Sequence, residues 1–267
     1  MNTDACLLIK DFIAEKLDGN LQNLKFFDFK TLRDSEKYGT PERNFDCDDT
    51  NIMRAIYVVL WGNALPFLTL QDIGSNKNYR GDTMNTFHTM FGREIEDKPG
   101  FFAGLEKYSP SDELREKVRC FGTLCRNIGN YCILPNWYSK QTTLNCYRGT
   151  NQWHDFFDRF LIDLHAVLCD DDSQDETLKE LVAKNNFCFS KFKGDSGFSE
   201  FCRILMFDDY LNEKSALPQE IFALNYHWKD EKNREQYLID TERYLDNTRK
   251  IILHRAEMMI KQLKLAL

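Results

Sequence analysis

The chain has 267 residues, with 42 acidic against 35 basic side chains and a formal charge of −7. That length can bury a full hydrophobic core, and an apolar share of 42% with 21 phenylalanines excludes a disordered chain. The acidic balance argues against a protein that binds nucleic acid by broad neutralisation of phosphates; it leaves room for an acidic face that docks on a basic protein or nucleoprotein partner.

In chain order, the first helix is expected from 3 or 4 to 17, where Cys6, Ile9, Ile13 and Leu17 fall at helical spacing before Asp18-Gly19-Asn20. A short extended run at 25–29 precedes a polar loop over 31–50 that contains Pro41. A second helix is expected over 51–65, opened by Asp48-Asp49-Thr50 and closed by Pro66. A strand at 66–70 is the next candidate. The run NYRGDTMNTFHTMFG predicts a turn at Arg80-Gly81, an N-cap at Asp82 or Thr83 and two helical turns to Gly92. Ser109-Pro110-Ser111-Asp112 opens a helix with Pro at its first position, carrying Leu114, Val118 and Phe121.

A third strand candidate is 131–134. Over 152–169 a wide apolar stripe, from Trp153 through Phe160 to Leu168, predicts a central core helix. Asp170-Asp171-Asp172 ends it and marks a possible subdomain break near 170–175. Shorter helices are expected at 175–185 and 197–213. The last helix, 232–265, would run about 50 Å at 1.5 Å per residue, with Tyr237, Thr241, Tyr244, Thr248, Ile251, Arg255, Met258 and Gln262 on one side. The expected fold is thus mainly α: one globular multi-helix domain over 1–267, with a long C-terminal helix and at most a small β element.

The longest apolar stretch, 52–70, is broken by Arg54, Gly62, Asn63 and Pro66 and is not expected to span a bilayer. The opening MNTDACLLIKDFIAEK carries acids inside its apolar positions, unlike a secretory leader. A cytoplasmic location is therefore expected. Nine cysteines, an odd number, fit reduced thiols better than a disulfide framework. Cys120, Cys125, Cys132 and Cys146 lack the C-x2-C spacing of a zinc knuckle, so neither metal nor cofactor is expected. Phosphate-loop, serine-elbow and H-E-x-x-H signatures are absent. Two Arg-His pairs, Arg159 with His165 and Arg249 with His254, match the short pattern of HEPN-type nucleases, at a frequency that chance alone supplies.

A set of polar side chains near turns and helix starts stands out: Arg80, Asp82 and Asn85, then Asn130, Asn145 and Arg148, then Asp158 and Arg159. Arg and Asn suit planar recognition of carboxylates, phosphates or base edges. The same groups also serve to satisfy one another and the backbone of buried loops. A ligand-binding pocket and a structural network both remain open on these residues.

The segments DCDDTNIMRAIYVVLWGNALP, YRGDTMNTF, RNIGNYCILPN, TLNCYRG and DRFLIDL, in that order over 46–168, resemble a family of bacterial and phage proteins classed as a domain of unknown function. Leu161 stands where the family has an acid after Asp-Arg-Phe. The resemblance implies a bacterial or phage origin and groups these motifs together, and it brings no activity with it. Two functions are carried forward. One is a soluble intracellular interaction protein, acting in conflict between bacteria and phage by binding a protein or nucleoprotein complex. The other is an enzyme or sensor acting on a nucleotide or phosphodiester, with Arg80, Arg148 and Arg159 on phosphate.

Overall fold

The computed structural model describes the chain except residues 1–2, 41–45, 75, 87–108, 140–141, 151–155, 171–174 and 222–233. The fold is mainly α, with a two-stranded antiparallel sheet among the described residues. Helix α1 spans Thr3–Lys16 and buries Ala5, Cys6, Ile9 and Phe12. It packs on α2, Asn51–Trp61, whose N-cap Thr50 accepts from the Met53 N–H. No described helix is long and apolar enough to cross a membrane.

The expected strands at 25–29 and 66–70 are not strands. Leu21–Phe26 and Phe29–Leu32 are 3-10 turns, because Asn20 accepts from Gln22 N and Asp28 accepts from Lys30 N. These short polar side chains offer the backbone a local bond in place of a ladder. At 66–70 the chain turns through Phe67 at φ 57° and enters a 3-10 turn, Leu70–Asp72.

The strand expected at 131–134 is present as β2, Tyr131–Pro135, buried along its whole length. Its partner lies where a turn and an N-cap were expected. Tyr79–Thr83 forms β1, and Gly81 pairs with Ile133 and Asp82 with Cys132. Asp82 caps nothing here, since its carboxylate is held by side chains from another helix. Gly81 is required because a β-carbon there would collide with the Asp48 carbonyl. The expected helix to Gly92 extends into residues outside those described.

Helix α3, Asp112–Leu124, begins two residues later than expected. Ser111, not a residue before Pro110, is the N-cap and accepts from Leu114 N at 3.1 Å. Helix α4 is Leu144–Thr150 and α5 is Phe157–Leu168, the latter burying Phe157, Phe160, Leu161, Leu164, Val167 and Leu168. The expected start of α5 at 152 falls outside the described residues. Helix α6, Glu176–Lys184, lies within the expected 175–185 and is capped by Asp175, and the short α7 is Asn186–Phe189. Helix α8, Gly194–Leu205, starts earlier and stops earlier than 197–213 because Met206 turns left-handed at φ 59°.

Helix α9, Arg234–Ala266, runs against α2, α3 and the 3-10 turns at 21–26 and 128–130. Its buried side follows the expected stripe through Thr241, Tyr244, Thr248, Ile251 and Arg255, then reaches Met259 and Leu263 rather than Met258 and Gln262. The expected spacing was a strict seven-residue repeat. A straight helix drifts from it by ~20° per heptad, enough to move the stripe by one residue over this length. Buried apolar side chains from α1 to α9 join in one cluster.

Candidate functional site

Antiparallel pairing of β1 with β2 places Asp82 beside Cys132, and α4 follows β2 closely enough to lay Asn145 and Arg148 over it. Arg148 Nη1 donates to Asp82 Oδ2, and Asn145 Nδ2 donates to Asp82 Oδ1. Arg148 Nη2 donates to the carbonyls of Thr83, at 3.1 Å, and Met84, at 2.6 Å. The guanidinium also lies 5.1 Å from the centre of the Phe157 ring. Arg148 is wholly buried and Asp82 almost so. Burial pushes the Asp82 carboxyl above its ordinary value, while Arg148 pulls against that shift.

Asn85 and Asn130 bind each other on the far side. The Asn85 N–H donates to Asn130 Oδ1 at 3.0 Å, and Asn130 Nδ2 donates to the carbonyls of Asn85, at 2.7 Å, and Cys125, at 2.9 Å. Asn85 Nδ2 reaches Tyr210 Oη at 2.8 Å. Both asparagines have no exposed surface.

The tract RNIGN is explained by the same logic. Arg126 makes a two-pronged pair with Asp28, both contacts at 2.9 Å. Asn127 caps its own turn through Gly129 N and donates to the Lys25 carbonyl. Gly129 sits directly under α9, where a β-carbon would strike the Ile252 carbonyl. Arg255 of α9 then donates to the carbonyls of Gly129, Tyr131, Leu205 and Met206.

The remaining expected site residues stand apart. Asp158 Oδ2 accepts from Ile221 N at 2.9 Å, and Arg159 pairs with Glu220. Arg80 is half-exposed and meets Asp46 at 3.4 Å. The structure thus brings together Asp82, Asn145 and Arg148, and separately Asn85 and Asn130, and it does not converge all eight. The two Arg-His pairs are likewise divided: Arg159 goes to Glu220 and His165 to Asp195, while His254 goes to Asp209.

Next to Asp82 lies a buried acid. Thr83 Oγ1 donates to Asp48, and the Asp48 main-chain carbonyl accepts from Tyr57 Oη at 2.8 Å. Burial pushes the Asp48 carboxyl well above the usual range, and Asp46 and Asp82 add to the shift. A carboxyl with a raised folded-state pKa keeps a proton that the unfolded chain has lost, so its contribution to stability declines as pH rises above about 4. Asp48→Asn is expected to raise the melting temperature at neutral pH and to flatten its fall as pH rises above about 4. Paired thermal melts across that range measure both effects.

A different feature was not legible as a site. Between α3, α9 and the 21–26 turn lies a groove of about 590 Å³. Phe26, Phe121, Leu124 and Leu253 contribute its apolar lining, and Phe26 is 69% exposed. Glu113, Glu116, Asp246, Lys117 and Arg249 ring it. Lys117 reaches Glu242, Asp246 at 3.1 Å and Glu113 at 3.9 Å, and Arg119 reaches Glu116 at 3.4 Å, so the rim's three acids against two bases leave it only slightly negative. Nothing in the periodicity of either helix marks this groove: Phe121 belongs to the buried stripe of α3, while Leu124 and Leu253 lie at stripe edges. Comparisons with protein-family models, with curated proteins and with solved structures find no match.

Proposed function

We propose that this chain is a soluble intracellular interaction protein of bacterial or phage origin, and that the groove between α3 and α9 receives a basic amphipathic helix from a partner protein. The single observation that carries this reading is the groove itself. Its volume of about 590 Å³ and apolar floor suit the large side chains of one helix face. Its rim of three acids against two bases, on a chain of formal charge −7, gives a modest preference for lysine and arginine along the partner's flanks. The bacterial or phage origin rests on the resemblance of the motif order over 46–168, which brings no activity with it.

The alternative, an enzyme or sensor for a nucleotide or phosphodiester, would place phosphate on Arg148. That guanidinium is engaged by Asp82 and two main-chain carbonyls, so the groove is the better supported site.

Cys120 is exposed and lines the groove. A photo-reactive group attached there, in a Cys146→Ser background, is expected to crosslink in bacterial lysate to a basic helical segment identified by mass spectrometry. A synthetic peptide of that segment should compete, and Leu253→Glu should abolish capture. A crosslink that closes within the chain or joins two copies, or capture unchanged in Leu253→Glu, overturns the proposal.

A further inference from the structure

Away from the groove, at the junction of α5 and α8, three different ligand types meet. His165 and Cys169 are one helical turn apart at the C-terminal end of α5, so their side chains leave on the same face. Asp195 comes from the first turn of α8, which packs on α5. His165 Nε2 lies 2.8 Å from Asp195 Oδ1, Cys169 Sγ lies 3.4 Å from His165 Nε2, and Cys169 Sγ lies 3.3 Å from Asp195 Oδ1. Among the described residues these three form the group whose nitrogen, sulfur and oxygen ligand atoms lie within 4.8 Å of one another.

The pattern differs from a nucleophile relay. In a relay the imidazole uses one nitrogen for the nucleophile and the other for the acid. Here a single nitrogen, Nε2, lies within reach of both the thiol and the carboxylate, so one atom from each of three ligand types meets in a small triangle. Their triangle has a circumradius of about 1.8 Å. An ion held at roughly 2.0–2.3 Å from each would therefore rise about 1 Å above their plane, as a tetrahedral zinc does over three ligands. The Phe198 ring, edge-on to the imidazole at 4.9 Å, limits its rotation. Asp195 is largely exposed, which turns the fourth position toward solvent.

We propose that His165, Cys169 and Asp195 bind one divalent transition-metal cation of the zinc class, with one coordination position left to water or another small ligand. Binding displaces the thiol proton to solvent, and the ion ties the end of α5 to the start of α8, so its binding free energy adds to folding. Spacing along the sequence concealed the site: His165 and Cys169 are four apart, but the third ligand is 26 residues further on, behind a separate pair of helices.

The test uses the full chain, reduced and stripped of metal, titrated with cobalt(II). One ion per chain is expected, with thiolate-to-cobalt charge-transfer absorption that zinc abolishes on displacement. A Cys120→Ser/Cys146→Ser variant should keep this absorption, while Cys169→Ser should lose it. Asp195→Asn alters an exposed side chain and should fold normally, yet bind cobalt roughly tenfold or more weakly. Zinc should raise the melting temperature of the parent chain more than that of Asp195→Asn at the same concentration. Absence of the charge-transfer absorption, or equal cobalt affinity in the parent and Asp195→Asn, overturns the proposal.

Discussion

Arg148→Met is expected to lower the unfolding free energy by about 3–5 kcal/mol, because it strands a buried carboxylate. The partners are specific: Asp82 loses its cation, and the carbonyls of Thr83 and Met84 lose the Nη2 donor that spans them. These carbonyls belong to the last residue of β1 and the one after it, so the loss loosens the end of the sheet over which α4 lies. Denaturant titration measures the effect. The double variant Asp82→Asn/Arg148→Met should recover part of the loss, since the uncompensated charge disappears with its partner. Additive losses in the two single variants would show that the residues do not act as a pair.

Arg255→Met is expected to cost about 3 kcal/mol or more, for a related reason. This guanidinium is wholly buried on α9 and donates to four main-chain carbonyls: Gly129 and Tyr131 on one side, Leu205 and Met206 on the other. It also stacks between Phe207, at 5.2 Å, and Trp61, at 5.7 Å. One side chain therefore joins α9 to the start of β2 and to the left-handed end of α8. Burial lowers the pKa of Arg255 below its ordinary value, against smaller opposing pulls that include Asp209. Arg255→Lys should fail to restore full stability, because a compact ammonium cannot reach both pairs of carbonyls. A melting-temperature drop of roughly 10 °C would accompany the methionine variant.

These two arginines show which parts of the fold can be read from the sequence. Helices with strong caps and apolar stripes, such as α2 behind Thr50 and α6 behind Asp175, stand where local rules place them, because the cap and the stripe lie within a few residues of each other. Strand β1 does not. Its YRGDT sequence carries turn-forming residues, and only pairing with β2, about 50 residues later, makes it extended. Asp82 resembled an N-cap until Arg148, 66 residues on, claimed it. The polar residues Asp82, Asn145 and Arg148 were singled out together from composition near turns, yet their orientation toward one another is a property of sheet register, which no local pattern encodes. The groove was illegible for the opposite reason: its residues are ordinary core, edge and turn positions, and only the approach of α3 to α9 and the 21–26 turn makes a concavity of them.

Gly129 illustrates the intermediate case. A glycine between Ile128 and Asn130 reads as a turn, which is correct, since the chain forms a 3-10 turn there. Its necessity comes from elsewhere, in the backbone of α9 pressed against it at Ile252 and Ala256.

The most direct test of where function resides compares two variants in one assay, using the captured partner peptide as probe. Leu253→Glu should melt like the parent chain and lose peptide binding. Arg148→Met should melt lower, while its folded fraction binds the peptide with parental affinity. A folded Arg148→Met protein that has lost binding, beside a Leu253→Glu protein that retains it, would contradict the account and place function in the polar network.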